Sequence, residues 1–287
     1  MAAACRIATD ASGMEQMPTG RQFTNGLEYF FGWGYRLREL LHLRLARPDP
    51  AQAYEDDPGF APWLRRWVRL WASLVAGLVF LWLIALRCPQ SLAVLGGLLH
   101  AVAPAAIARY TGQDLVRGSF CLPLLTACFV LAAWQFNAPR RWKLPLLGLL
   151  VFLALATWDM CQIVFGLWGL YELIRLLAGG RASGKRRAIW LALALGTLLA
   201  ALLVPYHREH RLIASPLVLV ILPLVLLGQH LAGRPWRARL AFLLPAALLC
   251  CGAWLATSGG MSENYGHFGK LLAAKLRFGN IKPPDPA

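Results

Sequence analysis

Residues Leu144–Tyr171 read LPLLGLLVFLALATWDMCQIVFGLWGLY, a run of 28 residues before Glu172 in which Asp159 is the only charged residue. A transmembrane helix needs about 20 apolar residues, so this run is too long for one comfortable span and too short for two full ones. The sequence allows either one helix or two short helices that meet near Trp158 and Asp159. The choice sets the direction of every later helix, so this stretch decides the fold.

Six further charge-free runs lie on the two sides of this stretch. Each is long enough, or nearly long enough, to cross a bilayer. With two short helices between them, they make about eight membrane segments, and the sequence predicts an all-α, polytopic membrane helix bundle. The six runs are Leu70–Leu86, Cys88–Ala108, Gly118–Pro139, Ala188–Tyr206, Leu212–Gly233 and Leu240–Met261.

Basic residues between the spans favour two short helices. With two helices, twelve Lys and Arg side chains share one face and four share the other; with one helix, the same sixteen divide ten to six. Cytoplasmic loops carry an excess of Lys and Arg, so we prefer the more uneven division and assign the twelve-charge face to the cytoplasm. The twelve are Arg87, Arg140, Arg141, Lys143, Arg175, Arg181, Lys185, Arg186, Arg187, Arg234, Arg237 and Arg239.

Composition independently indicates a membrane protein. Apolar residues make up 58% of the chain and charged residues 15%, and mean hydropathy is +0.51, whereas soluble domains carry about 25% charged residues.

The net charge of +15 reflects a shortage of acids between residues 58 and 262, so we expect no nucleic-acid partner. The seven cysteines form no Cys-x-x-Cys pair, so no zinc or redox site is predicted. We expect an integral, multi-pass membrane protein, in the plasma (inner) membrane if the source is bacterial.

Three parts follow one another along the chain. Residues 1–66 form a polar segment that contains Phe23–Leu45, where aromatic and basic residues interleave as in an interfacial amphipathic helix, and then an outer loop. Residues 67–261 form the helix bundle, and residues 262–287 begin another outer loop. The last segment stops within a Pro-rich stretch, so we expect the chain to be truncated there.

Candidate functional residues lie at helix ends, because the sequence contains no Walker loop, GxSxG or HExxH motif. Two interpretations of the acids stay open: they form a site for a cation or a polar acceptor, or they neutralise neighbouring arginines. Arg208 and Arg211 suit a phosphate or pyrophosphate, although a charged loop between helices needs no ligand. The acids on the non-cytoplasmic face are Asp114, Asp159, Glu209 and Glu263.

The order of these pieces resembles the GT-C membrane glycosyltransferases, and most closely the catalytic subunit of oligosaccharyltransferases. The resemblance is collinear over roughly 200 residues, and each of its motifs is short. Four segments carry it: Ala108–Asp114, like the family's second outer loop; Ala156–Met160, like its Trp-Gly-Gly break; Val204–His210, like its Pro-Phe loop; and Met261–Glu263, like its Ser-Val-Ser-Glu motif.

This resemblance implies catalytic roles for Asp114 and Glu263, which would also hold a divalent metal, Mg²⁺ or Mn²⁺. The family's second acid falls on Val116 here, so that chelate is incomplete. The family also begins with a membrane helix and an outer-loop aspartate, so we expect the chain to be truncated at its start as well. The resemblance implies a substrate-binding set of Asp159, Arg208, Glu209, His210 and Arg211, with the arginines on the lipid phosphate.

The function implied by the resemblance is transfer of a sugar or glycan from a polyprenyl-phosphate or pyrophosphate donor to an acceptor on the non-cytoplasmic face. Its partners would be that donor and membrane lipid, and the sequence identifies no protein partner. Two alternatives stay open: a membrane transporter or lipid flippase, and a non-catalytic fragment. Transporters usually show inverted repeats and charges near the bilayer midplane, and neither is visible in this sequence.

Overall fold

The structure is a computed structural model, and it describes residues 60–103 and 117–258. Every regular element within those residues is helical, and none of them forms a strand, so the predicted all-α class is confirmed. In this part of the chain, three helices are long and apolar enough to cross a membrane, at Phe120–Asn137, Gly184–Leu203 and Trp236–Thr257. The predicted interfacial helix at Phe23–Leu45 lies outside the described residues.

The described helices follow one another with short connections. They are α1 at Phe60–Ala85, α2 at Gln90–Val102, α3 at Arg117–Asn137, α4 at Lys143–Thr157, α5 at Cys161–Leu177, α6 at Gly184–Leu203, α7 at Pro205–Glu209, α8 at Leu222–Leu231 and α9 at Trp236–Ser258. A 3-10 turn at Leu212–Ala214 and a π-helical turn at Leu217–Ile221 lead into α8. Helix α1 begins ten residues before the predicted run Leu70–Leu86.

The decisive stretch forms two helices, as the charge distribution predicts. Helix α4 ends at Thr157 because Trp158 is extended, with φ −151° and ψ 118°, and its N–H donates to the Ala154 carbonyl. Helix α5 begins three residues after Trp158, at Cys161. The backbone therefore changes direction at Trp158–Met160, around the one charged residue of the apolar run.

Prolines shorten two of the predicted runs. Helix α2 starts after Pro89 and ends at Val102, because Ala103 precedes Pro104 and adopts an extended conformation. The predicted run Leu212–Gly233 is interrupted near its start: the 3-10 turn ends at the extended Ser215, and a new helix begins after Pro216. Both helices are therefore shorter than their charge-free runs.

Close contact between α4 and α6 depends on two glycines. A Cβ added at Gly148 would lie 3.2 Å from the carbonyl oxygen of Ala192, and a Cβ added at Gly196 would collide with the carbonyl of Gly148. The core surrounds this contact and includes Val151 of α4 and Leu193 of α6, both fully buried. The α4–α6 pair also contacts α3, α5, α7 and α8.

Large apolar side chains cover much of the outer surface. On α9, Leu248 is 68% exposed and Leu249 is 75% exposed, and exposed leucines also occur on α2, α5 and α6. Soluble proteins rarely expose so many large apolar side chains together on their surface. This surface is compatible with a lipid environment.

Helix ends that carry basic residues meet at one end of the bundle. Asn137 Nδ2 donates to the Ala85 carbonyl, Lys185 Nζ lies 3.1 Å from the Phe136 carbonyl, and Arg239 Nη1 lies 2.6 Å from the Leu176 carbonyl. We call this the cationic end; it contains the ends of α1, α3 and α5 and the starts of α4, α6 and α9. These contacts agree with the charge grouping that was predicted for the two-helix arrangement.

Candidate functional site

Asp159 lies in the tight turn between α4 and α5, at the end of the bundle opposite the cationic end. The carbonyl of Trp158 accepts from the N–H of Cys161 at 3.2 Å, and the carbonyl of Asp159 accepts from the N–H of Gln162 at 3.2 Å. These bonds start α5 and leave the Asp159 side chain half-buried beside the break. We call this region, together with Val204–Arg211, the Asp159 end.

A second break brings Tyr206 to the Asp159 end. Helix α6 stops at Leu203 because Val204 precedes Pro205, and the extended Val204 redirects the chain into α7. Pro205 occupies the first position of α7, where a backbone N–H would have no helical acceptor. The Tyr206 hydroxyl then donates to Asp159 Oδ2 at 3.3 Å. Two segments that are 47 residues apart in sequence are joined by this hydrogen bond.

Two histidines flank Tyr206 in different environments. His207 is fully buried, and its Nε2 lies 2.9 Å from the Leu155 carbonyl, so Nε2 carries a proton and donates it. Its Nδ1 is then an acceptor, and it is buried without a hydrogen-bond partner among the described residues. His210 is half-buried, its ring stacks on that of Tyr206 with centroids 4.0 Å apart, and its Nδ1 lies 2.9 Å from the Tyr206 carbonyl.

Burial lowers the pKa of His207, because a charged imidazole would lose its hydration in this position. The hydrogen bond to Leu155 and the charge of Asp159 act in the opposite direction, and His210 adds to the lowering. His207 is therefore kept neutral by its surroundings, with one nitrogen as donor and the other as acceptor.

Three further predicted residues lie at the surface of the Asp159 end. Arg208, Glu209 and Arg211 are all exposed, and they follow Tyr206 closely along the chain. Arg211 has φ 51° and ψ 50°, a left-handed conformation that non-glycine residues seldom adopt, and it turns the chain into the 3-10 turn at Leu212. Exposed cations and a carboxylate therefore stand next to the half-buried Asp159 and its partner Tyr206.

Of the predicted substrate-binding set, the structure brings Asp159 and His210 together through Tyr206, and it leaves Arg208, Glu209 and Arg211 on the adjoining surface. The predicted catalytic and metal residues, Asp114 and Glu263, lie outside the described residues. Within residues 60–103 and 117–258, no three His, Cys, Asp or Glu side chains are grouped so as to hold a metal ion.

An ionic cluster that the sequence interpretation missed lies at the cationic end. Glu172 of α5 is only 1% exposed, and its two oxygens accept from Arg175 at 2.9 and 2.6 Å. Arg186 of α6 donates to the same carboxylate at 3.1 Å, and Gln229 of α8 donates its amide to it. We call these residues the Glu172 cluster. One buried carboxylate thus ties three helices together.

One signal in the sequence points to this cluster. Glu172 and Gln229 are polar side chains within or beside apolar runs, where such residues are expected to face other protein groups. The identity of the partners could not be derived, because Arg186 and Gln229 are 14 and 57 residues away from Glu172 in the chain.

Comparison with known proteins adds no assignment: no protein-family model matches the chain, and neither a curated protein nor a solved structure matches it. The chemistry of the Asp159 end therefore has to be inferred from its own residues and their contacts.

Proposed function

We propose that the chain is an integral membrane glycosyltransferase that transfers a sugar or glycan from a polyprenyl-phosphate or pyrophosphate donor to an acceptor at the Asp159 end. The observation that carries the proposal is the hydrogen bond from Tyr206 to Asp159. It joins two of the segments on which the resemblance to GT-C glycosyltransferases rests, the Trp158–Asp159 break and the Val204–Tyr206 loop.

The orientation in the proposal follows from the charges. Lys and Arg are concentrated at the cationic end, and the only acid found there among the described residues, Glu172, is buried and paired. An end rich in exposed cations is retained on the cytoplasmic side of a bilayer. The Asp159 end would then face the non-cytoplasmic side, where acceptors for lipid-linked sugars are modified.

The arginines at the Asp159 end suit the donor phosphate. Arg208 and Arg211 are exposed and lie where the helices end, so their guanidinium groups can reach a headgroup phosphate. Neither arginine takes part in the ion pairs of the Glu172 cluster, which are made by Arg175 and Arg186. Guanidinium groups bind phosphate oxygens with two parallel hydrogen bonds and stabilise the charge that develops on a leaving phosphate. We assign both arginines to that role.

Asp159 is assigned a supporting role in this proposal. Its carboxylate accepts from Tyr206, and this bond fixes the start of α7, from which Arg208 and Glu209 project. Asp114 and Glu263 remain the proposed residues for activating the acceptor. A divalent ion, Mg²⁺ or Mn²⁺, belongs to the proposal only at Asp114 and Glu263, and none of the roles proposed for the described residues requires it.

The proposal is tested with the full chain reconstituted in liposomes. A radiolabelled sugar on polyprenyl pyrophosphate is supplied, and label that moves to a peptide or hydroxylated acceptor is measured. We expect transfer by the wild-type chain and a loss of at least about tenfold in the Asp159→Asn and Tyr206→Phe variants. Arg187→Gln, an exposed change at the cationic end, is the matched control and should keep wild-type activity.

Two results would overturn the proposal. One is no transfer with any lipid-linked sugar by a folded wild-type chain. The other is transfer that survives unchanged in Asp159→Asn and Tyr206→Phe, which would remove the hydrogen bond that carries the proposal from any part in transfer. Movement of the lipid-linked sugar across the liposome membrane without transfer would instead favour a flippase.

A further inference from the structure

Two buried thiols from different helices lie in contact near the Asp159 end. Cys121 of α3 and Cys161 of α5 are both fully buried, and their Sγ atoms are 3.0 Å apart although 40 residues separate them. Two sulfurs that merely pack would be about 3.6 Å apart, so this contact is closer than ordinary packing. Formation of a disulfide requires a shortening of about 1 Å, to about 2.05 Å.

The same distance argues against a shared metal ion. Two thiolates on one tetrahedral zinc ion, each about 2.3 Å from the metal, would have sulfurs about 3.8 Å apart. The sulfurs of Cys121 and Cys161 are already closer than that. A metal would also need further ligands, and no group of three His, Cys, Asp or Glu suited to a metal occurs in the part of the chain that the structure describes.

Oxidation would leave the Ala154 carbonyl with a hydrogen-bond donor. In the reduced state both thiols lie beside the Ala154 carbonyl, at 3.4 Å for Cys121 and 3.5 Å for Cys161. That carbonyl also accepts from the backbone N–H of Trp158 at 2.9 Å. It therefore keeps a hydrogen bond when the S–H donors are lost.

We infer that Cys121 and Cys161 form a structural disulfide between α3 and α5. Both residues lie near the end that the proposed orientation places on the non-cytoplasmic side, where disulfides form and persist. The inference uses that orientation but not the proposed activity. Cys161 is two residues from Asp159, so the bond would fix the start of α5 and the turn that holds the Asp159 carboxylate.

The reaction is an exchange with an oxidant of the disulfide class. One cysteine thiolate attacks a sulfur of the oxidant and forms a mixed disulfide, and one oxidant thiol leaves. The second cysteine then attacks the protein sulfur of the mixed disulfide, and the second oxidant thiol leaves. Two protons and two electrons pass from Cys121 and Cys161 to the oxidant, which is reduced to two thiols. Because both thiols are fully buried in the folded bundle, the exchange belongs to folding, before the helices close around them.

Mass spectrometry of the full chain tests the inference directly. The chain is isolated from membranes, free thiols are blocked with N-ethylmaleimide under denaturing conditions without reductant, and the protein is digested with trypsin. Cleavage after Arg117, Arg140, Lys143 and Arg175 gives peptides 118–140 and 144–175. We expect these two peptides as one species, linked through a disulfide and separated by reductant.

Matched variants identify the linked cysteine. Peptide 118–140 also contains Cys128, which is buried on the same helix. Cys128→Ala should keep the linked species, and Cys121→Ala and Cys161→Ala should lose it. Reductant present during folding should lower the Tm of the wild type by about 5 °C or more and should leave that of Cys161→Ala unchanged.

The inference is overturned if Cys121 and Cys161 are both found blocked by N-ethylmaleimide in protein isolated from membranes and also in protein refolded with glutathione disulfide. The wild-type digest gives this answer even if a variant does not fold. Its outcome is also separate from that of the transfer assay, because a disulfide is detected whether or not any sugar is transferred.

Discussion

Glu172 Oε2 and Arg186 Nη1 lie 3.1 Å apart, and this contact connects α5 with α6 across the loop that separates them. Arg186 is 32% exposed whereas Glu172 is 1% exposed, so the carboxylate is buried and depends on its partners for compensation. Gln229 adds a third helix to the same carboxylate. At the cationic end, one buried anion therefore joins α5, α6 and α8.

Removal of this anion should destabilise the bundle. In Glu172→Ala, Arg175 and Arg186 lose their partner and the Gln229 amide loses its acceptor, so we expect a loss of about 3 kcal/mol in unfolding free energy. Denaturant unfolding in detergent measures this loss of unfolding free energy. Arg187→Gln, next to Arg186 but exposed, should change stability by less than about 0.5 kcal/mol. Equal effects of the two substitutions would contradict the importance of the Glu172 cluster.

Contact between α4 and α6 gives a second prediction. Gly196→Ala places a methyl group against the Gly148 carbonyl, so the two helices must separate, and we expect a loss of about 1–3 kcal/mol. Gly252→Ala is the matched control, because a Cβ at that position on α9 would have no atom of another described element within 4 Å. It should be neutral or stabilise the helix by up to about 1 kcal/mol. Comparing the thermal unfolding of these two variants separates the effect of lost packing from the general effect of replacing glycine by alanine.

The burial of His207 leads to a prediction of how stability changes with pH. Burial lowers its pKa in the folded state, so the unfolded chain binds more protons as the pH falls below about 6.5. The Tm should therefore be lower at about pH 5.5 than at about pH 7.5. In His207→Gln, which can still donate to the Leu155 carbonyl, this dependence should weaken, whereas His230→Gln, at an exposed position, should retain it. A wild-type Tm that rises on acidification over this range would contradict the buried neutral ring.

Arg208 and Arg211 give a kinetic prediction. If they bind the donor phosphate, the double substitution Arg208→Gln and Arg211→Gln should raise the KM for the lipid-linked donor by about 10- to 100-fold. Each charged hydrogen bond contributes about 1.5–3 kcal/mol, and hydrogen bonds from water to the phosphate restore part of that free energy. The KM for the acceptor should not change. Arg234→Gln together with Arg237→Gln removes the same charge from the cationic end and serves as the control. An unchanged donor KM in the Arg208 and Arg211 variant would remove the phosphate assignment.

Much of the helix layout could be predicted from charge and length alone. The run Leu144–Tyr171 was too long for one comfortable span and too short for two full ones, and the more uneven division of basic residues favoured two helices that break at Trp158 and Asp159, as the structure has them. The grouping of basic helix ends followed from the same arrangement. The early end of α2 at Val102 also has a local cause in Pro104, although the charge-free run extended to Ala108.

Contacts between distant residues could not be derived in the same way. The Tyr206–Asp159, Cys121–Cys161 and Glu172–Gln229 contacts join residues 40 to 57 positions apart, and each depends on how helices rotate about their axes when they pack. Periodicity in a nearly uniform apolar helix leaves that rotation undetermined. The sequence therefore indicated which residues are polar within apolar surroundings but could not pair them.

Glycosyl transfer is tested by supplying labelled sugar on polyprenyl pyrophosphate to the reconstituted chain, with wild type, Tyr206→Phe and Arg187→Gln compared at equal folded concentration. We expect transfer by the wild type and by Arg187→Gln, and a loss of at least about tenfold in Tyr206→Phe, because that change removes the bond that joins α7 to Asp159. Equal transfer by all three proteins, or none by any of them, would contradict this expectation.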